Sequence, residues 1–173
     1  MLINYLPQNK YIKLWGVLMN HCSISFFRTS TQQQRTAELA KLKERLNVLA
    51  PKLMNGGSLK KLVAPLSEMA QLNPNGVKYS FSVTALPQVN PYYSFLTIHI
   101  TDGMGMGATG NPGLNNGNYP CVIVSKNSAT EFSINSPTIK STRETTPSGL
   151  ANSLSIIGQF LASYAPEQLK VAR

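Results

Sequence analysis

The sequence predicts an α+β protein: two N-terminal helices, a four-stranded and mainly antiparallel meander sheet, and a C-terminal helix packed on one sheet face. Apolar residues recur every three or four positions before residue 72, alternate with polar residues between 77 and 101, and return to helical spacing after 146. The connections between the alternating segments are short, which favours antiparallel hairpins over βαβ units. Helices on one face of such a sheet form a two-layer α+β fold.

The first helix is predicted to begin at Ser30 or Thr31, with Thr36 as a later alternative, because Ser and Thr accept hydrogen bonds from the free amides of a first turn. Pro51 lacks an amide hydrogen and is expected to end or kink this helix. Five leucines at three- and four-residue spacing follow the helix start, and we call them the leucine seam: Leu39, Leu42, Leu46, Leu49 and Leu53. This spacing marks one apolar helix face, although two heptads are too few to predict a coiled coil.

A shorter second helix is predicted within residues 58–72, with Pro65 either at a kink or in the first turn. The turn at 73–76 then leads into strict alternation of apolar and polar residues, which is typical of a strand with one buried face. Four strands are predicted: 77–85, 92–101, 119–126 and 131–135.

The last helix is expected to begin near Thr146 and to be stopped by Pro166. It carries one apolar stripe: Leu150, Leu154, Ile157, Leu161 and Tyr164. These elements divide the chain into an N-terminal extension or marginal apolar segment (1–29), a single α+β domain (30–166) and a tail (167–173).

The N-terminal segment has two further interpretations. Residues 11–27 are apolar enough to suggest membrane association, but they include Asn20 and His21 and fall short of the ~20 apolar residues of a membrane span. Met19 is an alternative start to Met1. The overall layout, a short basic head, an apolar segment, a heptad helix and an α+β domain, resembles that of membrane-anchored assembly proteins of pilus and secretion machines.

The positive charge is concentrated at one end of the sequence. Residues 1–61 carry ten basic and two acidic side chains, a balance of +8, whereas residues 62–173 carry six and five, a balance of +1. Such asymmetry favours a polyanionic partner that meets the helices. The candidate nucleic-acid-binding residues are Arg35, Lys41, Lys43, Arg45, Lys52, Lys60 and Lys61. The alternative is a solvated helix face whose lysine and arginine stems cover the leucine seam.

Catalytic chemistry is poorly supported by the sequence. The G-x-G-x-x-G pattern at 105–110 lies in a Gly- and Asn-rich loop, 102–118, without the following helix that a dinucleotide site requires. Asp102 is the only aspartate, and a Cys121–His99 nucleophile pair lacks a supporting pattern. We therefore expect no catalytic residues, no cofactor and no metal site.

These observations predict a non-enzymatic nucleic-acid-binding or nucleoprotein-assembly protein that uses a basic helical region. The alternative is a structural subunit of a virion, pilus or secretion apparatus, with membrane association through residues 11–27 as an option. The expected partners are nucleic acid or another polyanion, together with further copies of the chain or other protein subunits.

Overall fold

The computed structural model describes residues 31–101 and 118–165. The helices are α1 (Gln32–Met54), a 3-10 helix (Leu59–Leu62), α2 (Val63–Gln71) and α3 (Pro147–Ser163). The strands are β1 (Lys78–Ala85), β2 (Ser94–Thr101), β3 (Asn118–Lys126), β4 (Phe132–Asn135) and β5 (Thr142–Glu144). The chain divides into two compact units, Met1–Arg35 and Thr36–Arg173, and residues 31–35 are the described part of the first.

In the first unit, Thr31 caps the start of α1. Its hydroxyl accepts a hydrogen bond from the Gln34 amide at 3.2 Å, and the Gln34 side-chain oxygen accepts one from the Thr31 amide at 2.9 Å. This reciprocal pair is a capping box, which satisfies two amides that a helix start otherwise leaves without partners. The prediction of an N-cap at Ser30 or Thr31 is thus confirmed at Thr31.

At its other end, α1 continues past Pro51 to Met54, so of the two alternatives for Pro51, the one in which it ends the helix is wrong. Leu53 and Met54 are buried in the core, and their burial offsets the hydrogen bond that the proline cannot make. Beyond Met54, Gly56 adopts a φ of 89° and the Gly57 amide donates to the Lys52 carbonyl at 2.9 Å. This is a Schellman motif, which requires a residue such as glycine in the left-handed conformation.

The second helical segment begins with the 3-10 helix, which Ser58 caps by accepting a hydrogen bond from the Lys60 amide at 3.2 Å. Pro65 is the third residue of α2 and therefore lies in its first turn, where a missing amide hydrogen has no cost. The predicted helix within residues 58–72 is accordingly present as a 3-10 turn that leads directly into α2.

Within the described residues, the sheet has five antiparallel strands in the order β1-β2-β3-β4-β5, rather than the four predicted. The missed strand, β5, is only three residues long, Thr142–Glu144, and two of the three are charged. So short a segment shows no alternation of apolar and polar residues, and therefore gives no periodic signal. The α+β class and the three predicted α-helices agree with the structure.

The core lies between the helices and one face of the sheet. Leu42, Leu46 and Leu53 of the leucine seam are buried, and Leu39 and Leu49 pack against them. The leucine seam is therefore part of the core of the same chain and does not form a binding surface for a partner. The whole predicted stripe of α3 is buried, and the sheet contributes Leu96, Ile98, Val122, Val124, Phe132 and Ile134.

Three polar side chains bind the carbonyl groups at the end of α3. The side-chain amide of Asn73 donates to the carbonyl oxygens of Leu161 and Tyr164, both at 2.9 Å. Asn75 donates to the same Tyr164 oxygen at 3.1 Å, and the Tyr79 hydroxyl donates to Leu161 at 3.1 Å. These bonds satisfy acceptors that a helix end otherwise leaves open, and they fix α3 to the start of β1.

No helix in the described ranges is long and apolar enough to cross a membrane. Several predictions concern residues outside these ranges: the apolar segment 11–27, the glycine-rich loop (of which only Asn118 is described), and the tail 167–173.

Candidate nucleic-acid interface

Helix α1 carries three of the predicted basic residues on one face. Lys41, Arg45 and Lys52 are spaced i, i+4 and i+11, which places them within about 40° of one another around the helix axis. Lys41 and Lys52 are exposed. Lys43 follows Lys41 by two positions, points about 200° away and is half-buried, so it does not join this face.

Arg45 forms an ion pair with Glu68 of α2 through its guanidinium group. Both side chains are about half exposed, at 49% and 46%, so water screens the pair and its contribution to stability is ~0.5 kcal/mol. The pair nevertheless reduces the positive charge that Arg45 can offer to a ligand. Arg45 is therefore a weaker candidate for a phosphate contact than Lys41 or Lys52.

The structure brings Lys52 and Lys61 together at a solvent-facing depression of about 390 Å³. The depression lies where α1 ends and the 3-10 helix begins, and Pro51, Asn55, Gly56 and Gly57 complete its lining. None of these described lining residues is acidic. Lys60, the neighbour of Lys61 on the 3-10 helix, is also exposed, so three lysines lie close to this turn.

A fourth lysine, Lys126 at the end of β3, lies beneath this turn and was not among the predicted residues. Its Nζ donates hydrogen bonds to the carbonyl oxygens of Leu53 at 2.9 Å and Gly57 at 3.2 Å, and it lies 5.6 Å from the centre of the Phe132 ring. Lys126 is only 4% exposed, and its burial lowers the pKa of the ammonium group below the usual 10.5.

Lys126 changes the electrostatics of the turn above it. The last carbonyl groups of a helix carry partial negative charge, which would repel a phosphate placed at the end of α1. The Lys126 ammonium group binds the Leu53 carbonyl directly and offsets part of that charge. No signal in the sequence distinguishes this lysine from an exposed one at a strand end, because its acceptors are 73 and 69 residues away.

Arg35 is the remaining predicted residue. It belongs to the first unit, where it is half-buried near the start of α1, and its amide donates to the Thr31 carbonyl at 3.0 Å. We do not include it in the interface, and its role in nucleic-acid binding stays a prediction.

Cys121 and His99, the pair considered for catalysis, are not brought together. Cys121 lies in the core, where its Sγ donates to the Ile98 carbonyl at 3.3 Å, and burial raises the pKa of this thiol to about 12. His99 is next to the core-facing Ile98 on β2, so it lies on the opposite face of the sheet from the core. Asp102 is outside the described residues, among which no three His, Cys, Asp or Glu side chains cluster to hold a metal ion.

Comparison of the chain with protein-family models, with curated proteins and with solved structures finds no match.

Proposed function

We propose that this chain is a non-enzymatic nucleic-acid-binding or nucleoprotein-assembly protein. Its contacts to phosphate groups are made by four exposed lysines, which we call the basic interface: Lys41, Lys52, Lys60 and Lys61. Arg45 adds a partly neutralised charge on the same face of α1.

The observation that carries this proposal is that Lys52 and Lys61 both line one shallow depression, open to solvent, which has no acidic residue in its described lining. Two neighbouring ammonium groups with no competing carboxylate can contact phosphate groups, and such contacts supply most of the affinity of sequence-independent nucleic-acid binding. The lining residues that the structure describes also include no aromatic side chain on which a base could stack. We therefore propose binding to the sugar-phosphate backbone with little preference for base sequence.

The test is the affinity of the full chain for a labelled oligonucleotide across a salt series, with single-stranded and duplex forms compared. Each lysine–phosphate contact releases a counterion and steepens the dependence of log K on log salt by about 0.9 for duplex DNA and about 0.7 for single strands. The double variant Lys52→Ala/Lys61→Ala should therefore lower the slope by about 1.8 or 1.4, respectively.

The matched control is Lys78→Ala/Lys140→Ala, which removes the same charge from exposed positions on β1 and before β5. This variant should leave the salt slope nearly unchanged, because its lysines lie outside the basic interface. Equal effects of the two variants would show that only net charge matters. Absence of binding by the unmodified chain at about 50 mM salt would reject the function itself.

The second candidate is a structural subunit of a larger assembly such as a virion, pilus or secretion apparatus. The observation that favours it is the edge position of β1, which pairs only with β2 among the described strands. Light scattering of the concentrated full chain in the absence of detergent tests this candidate, and a strictly monomeric protein would count against it.

A further inference from the structure

The two edges of the sheet differ in how they are protected against pairing with another strand. Strand β5 has three residues, carries Arg143 and Glu144, and is held to α3 by a 2.6 Å hydrogen bond from the Ser153 hydroxyl to Glu144. Short length, charge and a covering helix are the usual protections of an edge strand. Strand β1 has eight residues, no proline, a regular register with β2 and a single charged residue, Lys78, at its first position.

The core-facing side chains of β1 are also incompletely covered. Tyr79, Phe81 and Val83 pack against the core but are only half-buried, whereas the residues paired with them on β2 are buried: Ile100, Ile98 and Leu96. The core-facing side chains of the sheet therefore become more exposed to solvent from β2 to β1. In the described part of the chain, β2 is the only strand that pairs with β1, which makes β1 an edge strand of the described sheet. Edge strands are the usual sites at which another strand adds to a sheet.

We propose that β1 pairs antiparallel with β1 of a second copy of the chain, about a two-fold axis at Phe81, so that the two sheets become continuous. In this register Phe81 faces the second copy's Phe81, and Tyr79 faces the second copy's Val83. The polar Ser80 faces the second copy's Ser82. The inference deepens the second candidate function and does not depend on nucleic-acid binding.

The pattern of side chains along β1 favours this register. An antiparallel pair centred on Phe81 keeps apolar residues opposite apolar residues on the core face, because alternate residues of a strand point to the same side. A shift by one residue would place the helices of the second copy on the opposite face of the sheet and expose its apolar side chains.

The single charge of β1 favours the antiparallel over the parallel arrangement. In the proposed register Lys78 faces the second copy's Thr84, and the two Lys78 residues are about 20 Å apart. In a parallel in-register pair the same two lysines would be about 5 Å apart and would repel each other. The charge of Lys78 therefore favours the antiparallel pairing of β1 with β1 of a second copy and disfavours the parallel one.

The expected dimer is weak, because one pair of eight-residue strands buries less area than the roughly 1,000 Å² of a stable interface. Sedimentation velocity of the nucleic-acid-free full chain should show a monomer–dimer equilibrium between about 1 and 100 µM. A monomer at all concentrations would mean that another segment or another protein covers this edge, and would overturn the proposal.

Charge substitutions on the exposed side of β1 test the register. Ser80→Lys/Ser82→Lys places lysine opposite lysine twice in the dimer, and Ser80→Glu/Ser82→Glu does the same with glutamate. Both positions are exposed in the single chain, so each variant should fold, as circular dichroism and thermal melting can verify. Each variant alone should be monomeric, and an equimolar mixture of the two should dimerise at least as strongly as the unmodified chain.

The matched control is Asn152→Lys/Gln159→Lys, which adds the same charge at exposed positions of α3 and should leave dimerisation unchanged. Dimerisation that survives both β1 variants, or that is not restored in the mixture, would overturn the proposed strand pair. The β1 variants are also assayed for oligonucleotide binding, so that a failure of self-association is separated from a failure of the basic interface.

Discussion

The ammonium group of Lys126 donates a 2.9 Å hydrogen bond to the carbonyl oxygen of Leu53, joining the end of β3 to the last turn of α1. A second bond, to Gly57 at 3.2 Å, extends the same contact to the turn that follows α1. One buried lysine thus holds both sides of the turn on which Lys52 and Lys61 meet. The positions of the proposed phosphate contacts therefore depend on a residue that does not itself reach solvent.

Substitution Lys126→Met is expected to destabilise the protein by about 2 kcal/mol, because it leaves the buried carbonyl of Leu53 and the partly buried carbonyl of Gly57 without their ammonium donor. Urea unfolding followed by circular dichroism measures the change. The control Lys140→Met removes an exposed lysine and should shift the free energy of unfolding by less than about 0.5 kcal/mol. Equal stability of Lys126→Met and the unmodified chain would show that desolvation of the lysine cancels its hydrogen bonds.

Cys121 is expected to be unreactive in the folded protein. Burial raises the pKa of its thiol from 9.0 to about 12, so roughly a thousandfold less thiolate forms at neutral pH. In a Cys22→Ser variant, which leaves Cys121 as the single cysteine, a thiol reagent should react only after denaturant is added. Rapid labelling under native conditions would contradict the buried position of this side chain.

The same shift makes stability depend on alkaline pH. The folded state retains the Cys121 proton to higher pH than the unfolded state, so the stabilising contribution is complete below pH 9.0 and is lost as the pH rises towards about 12. The free energy of unfolding of the Cys22→Ser chain should therefore fall over this range. Further replacement of Cys121 by alanine should remove that part of the pH dependence, and an unchanged pH profile would argue against the shift.

Gly158 of α3 packs against α2, because a β-carbon there would collide with the Sδ and Cε atoms of Met69, whose fully buried side chain would have to shift. Gly158→Ala should destabilise the protein by about 1–2 kcal/mol, despite the higher helix propensity of alanine. In combination with Met69→Ala, the two losses should be less than additive by about 1 kcal/mol, since the added methyl group enters the vacated space.

The comparison for Gly158 is Asn152→Ala, at an exposed position of the same helix, which should be neutral or slightly stabilising. Thermal melting is measured for Gly158→Ala, Met69→Ala, their double variant and the Asn152→Ala control. The first three, with the unmodified chain, form a double-mutant cycle. Strict additivity of Gly158→Ala and Met69→Ala would show that the two residues do not compete for one volume.

The features that could be predicted from the sequence are those with a repeating pattern. The leucine seam and the stripe of α3 were identified because burial of one helix face imposes a regular apolar spacing on the chain. Strands β1, β2 and β4 are predicted for the corresponding reason, the two-residue period of a half-buried sheet, whereas β3 is predicted as a short apolar run without such a period. Strand β5 has neither period, since its pairing with β4 involves three polar or charged residues.

The parts of the candidate site that sequence reasoning could not supply depend on tertiary contacts. The basic residues were recognised by type, but their grouping is decided by the Schellman turn at Gly56 and Gly57, which redirects the chain between Lys52 and Lys61. The pairing of Arg45 with Glu68 joins two helices and weakens a predicted contact. Neither effect follows from the local spacing of charges.

The bonds between Asn73 and the carbonyls of Leu161 and Tyr164 have a consequence for the order in which the fold forms during synthesis. They join residues 88 and 91 positions apart, whereas every described strand pairs with its neighbour along the chain. A growing polypeptide can therefore form its hairpins early, before the contacts between α2 and α3 are possible. Until α3 has been synthesised, the part of α2 that packs against it stays uncovered.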